Sequence, residues 1–442
     1  MKKIILFAFI LAMSVSGYAF GASSEAIINV VNSYPSNYPE DGYDTDTGEI
    51  INPGYALTIE EALEKAETFA GEDSSFADVN IVLQINITPE STIEFDGSNY
   101  ASLTSVTITG AGRTINLPAG EGRHFNLRYS GMTLTINNAV LAGNSTAGGI
   151  TISDGEAVFT EVTFRGNAAT EEDDDGNTSG GAVLLTGTGK AAFTGCTFSS
   201  NSAANGGAIY SSSTGSITFT DTNTFATNTA TNGAGIYAAW GSEFVSTGTL
   251  AFNQNTAEEN GGAVYVSSGA EIASTGFTFT GNTAGNDGGA VYLAEASTAT
   301  AMTVTGTFTG NTAGNDGGAI YISSGQTLTL SGTVTFTGNT ATSGNGGAIY
   351  VTGTGIIAND SATVTFRENS ASYASGGADS DVSDFDSGWG GALCMEGTET
   401  ITLGAGSFIS NTGSLGGAVY ISSGTISFAY TAAWNSNKSY YC

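Results

Sequence analysis

Two aspartates, Asp287 and Asp316, are the residues of this chain best placed by sequence to cooperate in catalysis. They lie 29 residues apart within almost identical stretches, NDGGAVYL and NDGGAIYI. If these stretches occupy adjacent turns of a repeat, the two carboxylates lie about 5 Å apart. Glycoside-cleaving enzymes use clustered carboxylates, often with Arg, Lys or calcium beside them. Neither aspartate has an Arg or Lys near it in the sequence.

The other repeats favour a structural role for both aspartates. The equivalent positions hold Asn205, Asn232, Asn260 and Asn345. Asp287 and Asp316 are therefore interpreted as Asx residues of a turn. His124 is the only histidine, and its context GRHFNL matches no nucleophile or metal motif, so we interpret it as a structural residue of a strand. We predict no catalytic residue, no enzymatic activity and no cofactor.

Acidic loops and cysteines offer weaker signals for metal binding or redox chemistry. Residues 44–49 (DTDTGE) and 171–175 (EEDDD) carry the oxygen ligands that calcium prefers, without a complete ligand set. We interpret both as solvated loops and leave metal binding open. Cys196, Cys394 and Cys442 are too few and too scattered for a disulfide framework. Cys196 occupies a repeat position that elsewhere holds Val, which predicts a small core residue.

Composition and the N-terminal segment restrict the class of protein. The chain has 41 acidic and 10 basic residues and a net charge of −31. This balance argues against nucleic-acid binding and favours basic partners or cations. Residues 1–22 combine two lysines, an apolar run and small residues, as secretory signal peptides do. No later run of 18 apolar residues occurs, so we expect an exported protein without a transmembrane segment in the mature chain.

Two short motifs alternate through most of the chain and must position every candidate residue. The first is an apolar residue, two variable residues and Asn: Leu141/Asn144, Phe164/Asn167, Phe198/Asn201, Phe225/Asn228, Phe252/Asn255, Phe279/Asn282, Phe308/Asn311, Phe336/Asn339, Phe366/Asn369, Phe408/Asn411 and Trp434/Asn437. The second is Gly-Gly-Ala followed by an aliphatic residue and usually Tyr, with Gly-Ala-Gly at 233–235. Acidic inserts at 170–179 and 374–389 lengthen two of the intervals.

The segments before these repeats predict a distinct N-terminal end. Residues 23–57 are rich in Tyr, Pro and Asp, and we predict an irregular arm. Residues 58–71 combine a Thr58/Glu61 capping box with an apolar face and predict an amphipathic helix that caps the fold. Residues 79–140 contain short runs of period two and are assigned to the first coils. Residues 141–442 are assigned to repeated coils that end without a membrane barrel.

A repeat of this length and periodicity predicts an all-β, right-handed parallel β-helix. The unit is too short to bury its own core, so it must stack on its neighbours. Phe277 and Phe279 share the inward parity, which predicts a column of Phe along the interior. Asn tolerates the left-handed backbone of a corner and can bond to the Asn above and below. The glycine pair supplies a bend between strands.

Outward positions of the predicted coils form columns of their own. Tyrosines recur as Tyr210, Tyr237, Tyr265, Tyr292, Tyr321, Tyr350 and Tyr420, interrupted by Cys394. They are interpreted as aromatic stacking along a sheet face, with a stripe that binds sugar or protein as the alternative. Thr pairs such as Thr307/Thr309 resemble those of ice-binding solenoids, but Arg165, Arg367 and Ile409 interrupt the same column.

The paired Gly-Gly-Ala-[Ile/Val/Leu] and Phe-x-x-Asn motifs resemble those of the polymorphic outer membrane proteins of chlamydiae. The motifs cover about residues 141–437. The resemblance implies a surface-exposed β-helical passenger that is exported as an autotransporter and adheres to host cells. Chains of that family continue into a middle domain and a membrane barrel. Here the sequence stops at Cys442, which suggests a truncated passenger or a related secreted group.

We therefore predict a secreted or outer-membrane-surface scaffold that acts as an adhesin. Its expected partner is a host-cell or surface receptor, or a glycan. The alternative function is a carbohydrate-active β-helix enzyme, either a polysaccharide lyase or a glycoside hydrolase, which would use Asp287 and Asp316.

Overall fold

The computed structural model describes most of the chain between residues 26 and 439. The described ranges are 26–30, 54–56, 58–72, 77–89, 91–117, 122–143, 148–169, 178–267, 269–295, 301–354, 356–358, 362–372, 387–398, 400–428 and 432–439. The predicted signal peptide, the acidic segments at 44–49 and 171–175, and Cys442 lie outside these ranges. Their interpretation stays a prediction.

The described chain folds into a parallel β-solenoid of about 12 turns. The period-two runs become strands in which buried and solvent-facing residues alternate, as in Glu271–Thr280. Each strand pairs in parallel with its counterpart in the neighbouring turn, and Phe279 aligns with Phe252 on one side and Phe308 on the other. The predicted all-β parallel β-helix is confirmed.

Each turn carries strands at up to four positions. The first position follows the Gly-Gly-Ala motif, and its members are here called the Tyr strands: Ile93–Phe95, Val183–Leu185, Ile209–Ser211, Ile236–Ala238, Val264–Val266, Val291–Leu293, Ile320–Ile322, Ile349–Gly353, Leu393–Gly397 and Val419–Ile421. The connecting strands come second: Ala26–Val30, Gly54–Ala56, Asp78–Leu83, Lys190–Thr194, Ser216–Thr220, Ile356–Ala358, Thr400–Leu403 and Thr425–Phe428.

The remaining two positions hold the Phe-x-x-Asn motif and the residues that follow it. The Phe strands are Thr163–Arg165, Thr197–Ser199, Thr222–Ala226, Thr363–Arg367, Ala405–Ile409 and Ala432–Asn435. The short strands are Ala168–Ala169, Ser202–Asn205, Thr229–Asn232, Thr256–Ala257, Thr283–Ala284, Thr312–Ala313, Thr340–Ala341, Ser370–Ala371, Thr412–Gly413 and Lys438–Ser439. Longer strands run through two or three positions: Ser105–Asn116, Phe125–Ala142, Ile150–Thr160, Glu243–Asn253, Glu271–Thr280, Ala301–Thr309 and Thr327–Thr337.

A single described helix, α1 (Ile59–Glu72), covers the N-terminal end of the solenoid, as the sequence predicts. Thr58 Oγ1 accepts the Glu61 backbone N–H at 3.1 Å and so caps the first turn. The apolar face of α1 is buried in the same core as the first strands, with Ile59 and Leu63 fully covered. The helix therefore keeps water from the first coil and its apolar interior.

The arm at 23–57 is only partly irregular. Ala26–Val30 pairs in parallel with both Gly54–Ala56 and Asp78–Leu83. The prediction of an irregular arm is wrong for these two short strands. Their apolar runs are too short to stand out among the flanking Tyr, Pro and Asp residues.

The core is a set of aromatic columns inside the turns. The motif phenylalanines from Phe164 to Phe408, and then Trp434, stack with ring centroids 4.4–5.0 Å apart. The rings are nearly parallel because the turns align them in register. Phe279 and Phe308 are fully buried, and burial of such rings dominates core energetics. The predicted inward Phe column is confirmed.

Candidate functional site: the tyrosine face and its Asx corner

The asparagine of each Phe-x-x-Asn motif belongs to a buried ladder that holds one corner of every turn. In nine steps from Asn167 to Asn437, the backbone N–H and Nδ2 both donate to Oδ1 of the next asparagine, at 2.9–3.1 Å. Nδ2 also donates to a Phe carbonyl of the preceding turn, as Asn282 does to Phe252 at 3.0 Å. The predicted ladder is present from Asn167 to Asn437, and from Asn201 onward each Oδ1 accepts two hydrogen bonds from the preceding asparagine.

The left-handed residue of this corner precedes the asparagine. Positive φ values occur at Gln254 (54°), Gly281 (63°) and Gly310 (62°), each one position before the ladder residue. The prediction that Asn itself adopts the left-handed backbone is therefore wrong. The reason is that Asn is needed for its side-chain bonds, while the residue before it absorbs the bend.

The glycine pair has two separate tasks. Gly317, the first of its pair, has a φ of 65°, which disfavours other residues. At Gly318, the second, a Cβ would lie 2.2 Å from the Gly347 carbonyl oxygen. The first glycine therefore makes the bend, and the second allows adjacent turns to approach closely.

The residue before the glycine pair forms a second ladder, here called the Asx corner: Asn205, Asn232, Asn260, Asp287, Asp316 and Asn345. From Asn232 onward, each Oδ1 accepts the backbone N–H of the next turn. Asp287 Oδ1 accepts the Asp316 N–H at 3.0 Å, and Asp316 Oδ1 accepts the Asn345 N–H at 2.7 Å. Asn345 Oδ1 in turn accepts the Trp389 N–H at 2.9 Å. The two aspartates thus occupy adjacent turns as the sequence indicates, and both serve as Asx residues.

Burial disturbs the electrostatics of this aspartate pair. Desolvation raises the pKa of Asp316 to about 6, against the opposing hydrogen bond from Asn345, and the charges of Asp287 and Glu396 add to the rise. Desolvation also raises the pKa of Asp287, against the hydrogen bond from Asp316. Both carboxylates are half-buried. Their neighbourhood thus favours the neutral acid.

Beside the Asx corner, six tyrosines form a continuous stack on the outer face, here called the tyrosine face. Ring centroids from Tyr210 through Tyr237, Tyr265, Tyr292 and Tyr321 to Tyr350 are 4.6–5.3 Å apart. Each ring covers the face of the next. The tyrosines from Tyr210 to Tyr321 keep part of their surface exposed, whereas Tyr350 is buried. A sugar that stacks on aromatics needs an open ring face. Within the stack, the interpretation as aromatic stacking is therefore favoured over a sugar-stacking stripe.

The hydroxyls of the tyrosine face keep their protons. Burial is the main cause that raises the pKa of Tyr265, Tyr321 and Tyr350, with neighbouring carboxylates contributing. Tyr350 donates its hydroxyl hydrogen bond to Glu396 Oε2 at 2.9 Å. The sequence did not identify Glu396 as a residue of this face, although it lies two residues after Cys394 and shares the outward parity of that strand.

The histidine and the two described cysteines are buried. His124 is fully buried, and burial lowers its pKa to about 4. Its Nε2 lies 3.2 Å from the carbonyl oxygens of Ile115 and Ala142, so Nε2–H donates to them. Cys196 is fully buried, as predicted, and burial raises its thiol pKa to about 12. Cys394 is also a buried free thiol.

In this arrangement the two aspartates serve as hydrogen-bond acceptors. The Oδ1 atoms of Asp287 and Asp316 are occupied by backbone N–H groups. In the part of the chain that the structure describes, no three His, Cys, Asp or Glu side chains are grouped to hold a metal ion. What the surface presents is a line of phenolic hydroxyls beside carboxylates.

Five segments of the chain match the profile of the Chlamydia polymorphic membrane protein repeat: 195–212, 249–267, 276–294, 305–323 and 333–352. Each segment begins just before a Phe-x-x-Asn motif and ends within one residue of the end of the Tyr strand that follows it. The chain therefore carries repeats of the polymorphic membrane protein family between residues 195 and 352. This repeat therefore contains the Phe column, both ladders, the glycine pair and the tyrosine face of one turn.

Other comparisons add no relative. No match was found among curated proteins or among solved structures. Among the described residues, no helix has the length and apolarity needed to cross a membrane.

Proposed function

We propose that the chain is a surface-exposed passenger that uses its β-solenoid to adhere to cells or to ligands on their surface. The observation that carries the proposal is that inward and outward residues of the polymorphic membrane protein repeat have different roles. Phe, Asn and Gly are engaged inside the rod, so the outward columns are free to make contacts. About 12 turns at a strand spacing of ~4.8 Å present a side surface roughly 55–60 Å long.

Two features support export and display. The sequence of residues 1–22 has the organisation of a secretory signal peptide. The net charge of −31 favours solubility and attraction to basic surfaces. The closed stack of tyrosine rings favours a protein receptor over a glycan at that face.

Adhesion can be tested with the chain, lacking residues 1–22, coupled to fluorescent beads. Beads are incubated with cultured epithelial cells, and bound beads are counted by flow cytometry. Beads coated with an unrelated acidic globular protein control for charge. We expect saturable binding above that control, which trypsin treatment of the cells abolishes. Binding no greater than the control would refute the proposal.

The alternative of carbohydrate cleavage makes a separate expectation. Because both aspartate Oδ1 atoms are tied to the backbone, the purified chain should release no reducing ends from a pectin-like polymer. Release that disappears in the Asp287→Asn/Asp316→Asn variant would establish the enzyme instead.

A further inference from the structure

Carboxylates accompany the tyrosine face through successive turns. Glu259 lies in electrostatic range of Tyr265, and Asp287 and Glu295 lie in range of Tyr292. Asp316 and Glu396 continue the series beside Tyr321 and Tyr350. These five carboxylates are here called the acidic border. They place negative charge beside the tyrosine column in four of the five turns from Tyr265 to Glu396.

The chain itself supplies no cation to this border. Residues 191–366 contain no Lys, Arg or His. In the described chain, the ion pairs lie near the N-terminal turns, between Lys65 and Glu61 and between Arg128 and Glu94. Within its own rod, the acidic border therefore has only like charges for neighbours, and these raise the pKa of Asp316 further.

The chemistry of the surface selects the kind of ligand. The ring faces are covered by one another, so the available groups are hydroxyl oxygens and carboxylates, which accept hydrogen bonds. Guanidinium and ammonium groups donate several charge-assisted bonds to such acceptors. Five turns at ~4.8 Å span about 20 Å along the rod. An extended polypeptide covers this distance with about six residues.

We propose that the tyrosine face, with its acidic border, binds an extended polypeptide segment rich in Lys and Arg. The cationic side chains would pair with Asp287, Asp316 and Glu396, and the tyrosine hydroxyls would accept or donate beside them. This inference deepens the proposed function, on which it rests, by giving the adhesive surface a partner class. Its test is independent of cell binding.

The probe is a fluorescein-labelled peptide of about twelve residues that alternates Lys and Arg with Gly and Ser. Fluorescence anisotropy measures its binding to the purified chain. The test variant is Asp287→Asn/Asp316→Asn, which keeps the fold because Asn fills this position in neighbouring turns. The control variant is Glu243→Gln/Glu271→Gln, which removes the same charge from two exposed residues paired in register on the connecting strands.

We expect saturable binding that weakens with salt and is about tenfold weaker in the Asp287→Asn/Asp316→Asn variant. The control variant should bind within about twofold of the unmodified chain. Equal weakening in both variants would overturn the inference, because it would show attraction to overall charge alone. No saturable binding would overturn it too, as would preference for a neutral oligosaccharide at this face.

The outcome also separates this inference from the proposed function. If the coated beads bind cells but the chain does not bind the basic peptide, the peptide site is refuted and the adhesion proposal is retained. Peptide binding without cell binding would refute adhesion and leave the site.

Discussion

We expect Asp316 to couple the stability of the middle turns to pH, and replacing it with Asn should weaken that coupling. Its carboxylate is half-buried and accepts the Asn345 N–H at 2.7 Å. Desolvation raises its pKa from an ordinary 3.8 to about 6, and the charges of Asp287 and Glu396 oppose ionisation further. The folded chain therefore binds a proton more tightly than the unfolded chain does.

The sign and size of the effect follow from that difference. A raised carboxyl pKa contributes stability that is fully present below about pH 4 and is lost as pH rises through about 6. A shift of about two units corresponds to about 3 kcal/mol at most. Because the group is half-buried, solvent screening reduces this to about 1–2 kcal/mol. The pKa of Asp287 is also raised, so its contribution has the same sign.

The assay compares the unmodified chain with Asp316→Asn between about pH 4 and pH 7.5. Urea unfolding gives the overall stability, and hydrogen exchange at the Asn345 amide reports the local turn, since long repeat arrays do not unfold as one unit. The variant should be more stable by about 1–2 kcal/mol at pH 7.5 and equal near pH 4. Glu271→Gln, an exposed change on another face, controls for lost charge. An Asp316→Asn variant with no gain at neutral pH would refute the reasoning.

Three further predictions concern the asparagine ladder, the glycine corner and the core. Asn282→Ala removes four buried hydrogen bonds and should lower the free energy of unfolding in urea by about 4 kcal/mol. The exposed change Thr280→Ala should lower it by less than about 0.5 kcal/mol. Similar losses in the two variants would contradict the role of the ladder. Gly317→Ala should lower the melting temperature far more than Gly310→Ala. Both have a φ near 60°, but a Cβ at Gly317 would lie 2.3 Å from a backbone carbonyl oxygen, whereas Gly310 has open space. Cys196, with a thiol pKa raised to about 12 by burial, should resist iodoacetamide until urea unfolds the chain. Labelling of Cys196 in the native chain, located by peptide mass spectrometry, would contradict its burial.

The repeat made the interior of the fold predictable. Each turn must place the same residue types at the same positions, so the periodicity of Phe279 and Asn282 reveals both the inward face and the corner. The strand Ala26–Val30 was not predictable in this way, because it lies outside the repeat and pairs with residues distant in sequence. The position of the left-handed residue was also missed, because Gly281 and Gln254 share a φ sign but no residue type.

The candidate site was predictable only in part. The tyrosine column and the two aspartates follow from the repeat phase alone. The bond from Tyr350 to Glu396 does not, because the acidic insert at 374–389 separates the two residues in the sequence although their turns are neighbours. Covered ring faces likewise depend on the spacing between turns, which the sequence gives only approximately.

Asp287 and Asp316 differ from the other residues of the Asx corner, which are all Asn. Asn at either position would accept the same backbone N–H bond without a desolvated charge, as Asn260 does for Asp287 at 3.3 Å. Residues that break a local rule without a gain in stability are expected at functional sites. The stability of a stacked repeat is a sum of local terms. The free energy lost by burying the charges of Asp287 and Asp316 therefore affects only a few turns. A rod can therefore accept unpaired carboxylates at one place on its surface while the ladders hold the rest. The aspartates destabilise the free protein at neutral pH, and a cationic partner that neutralises them would recover that free energy on binding.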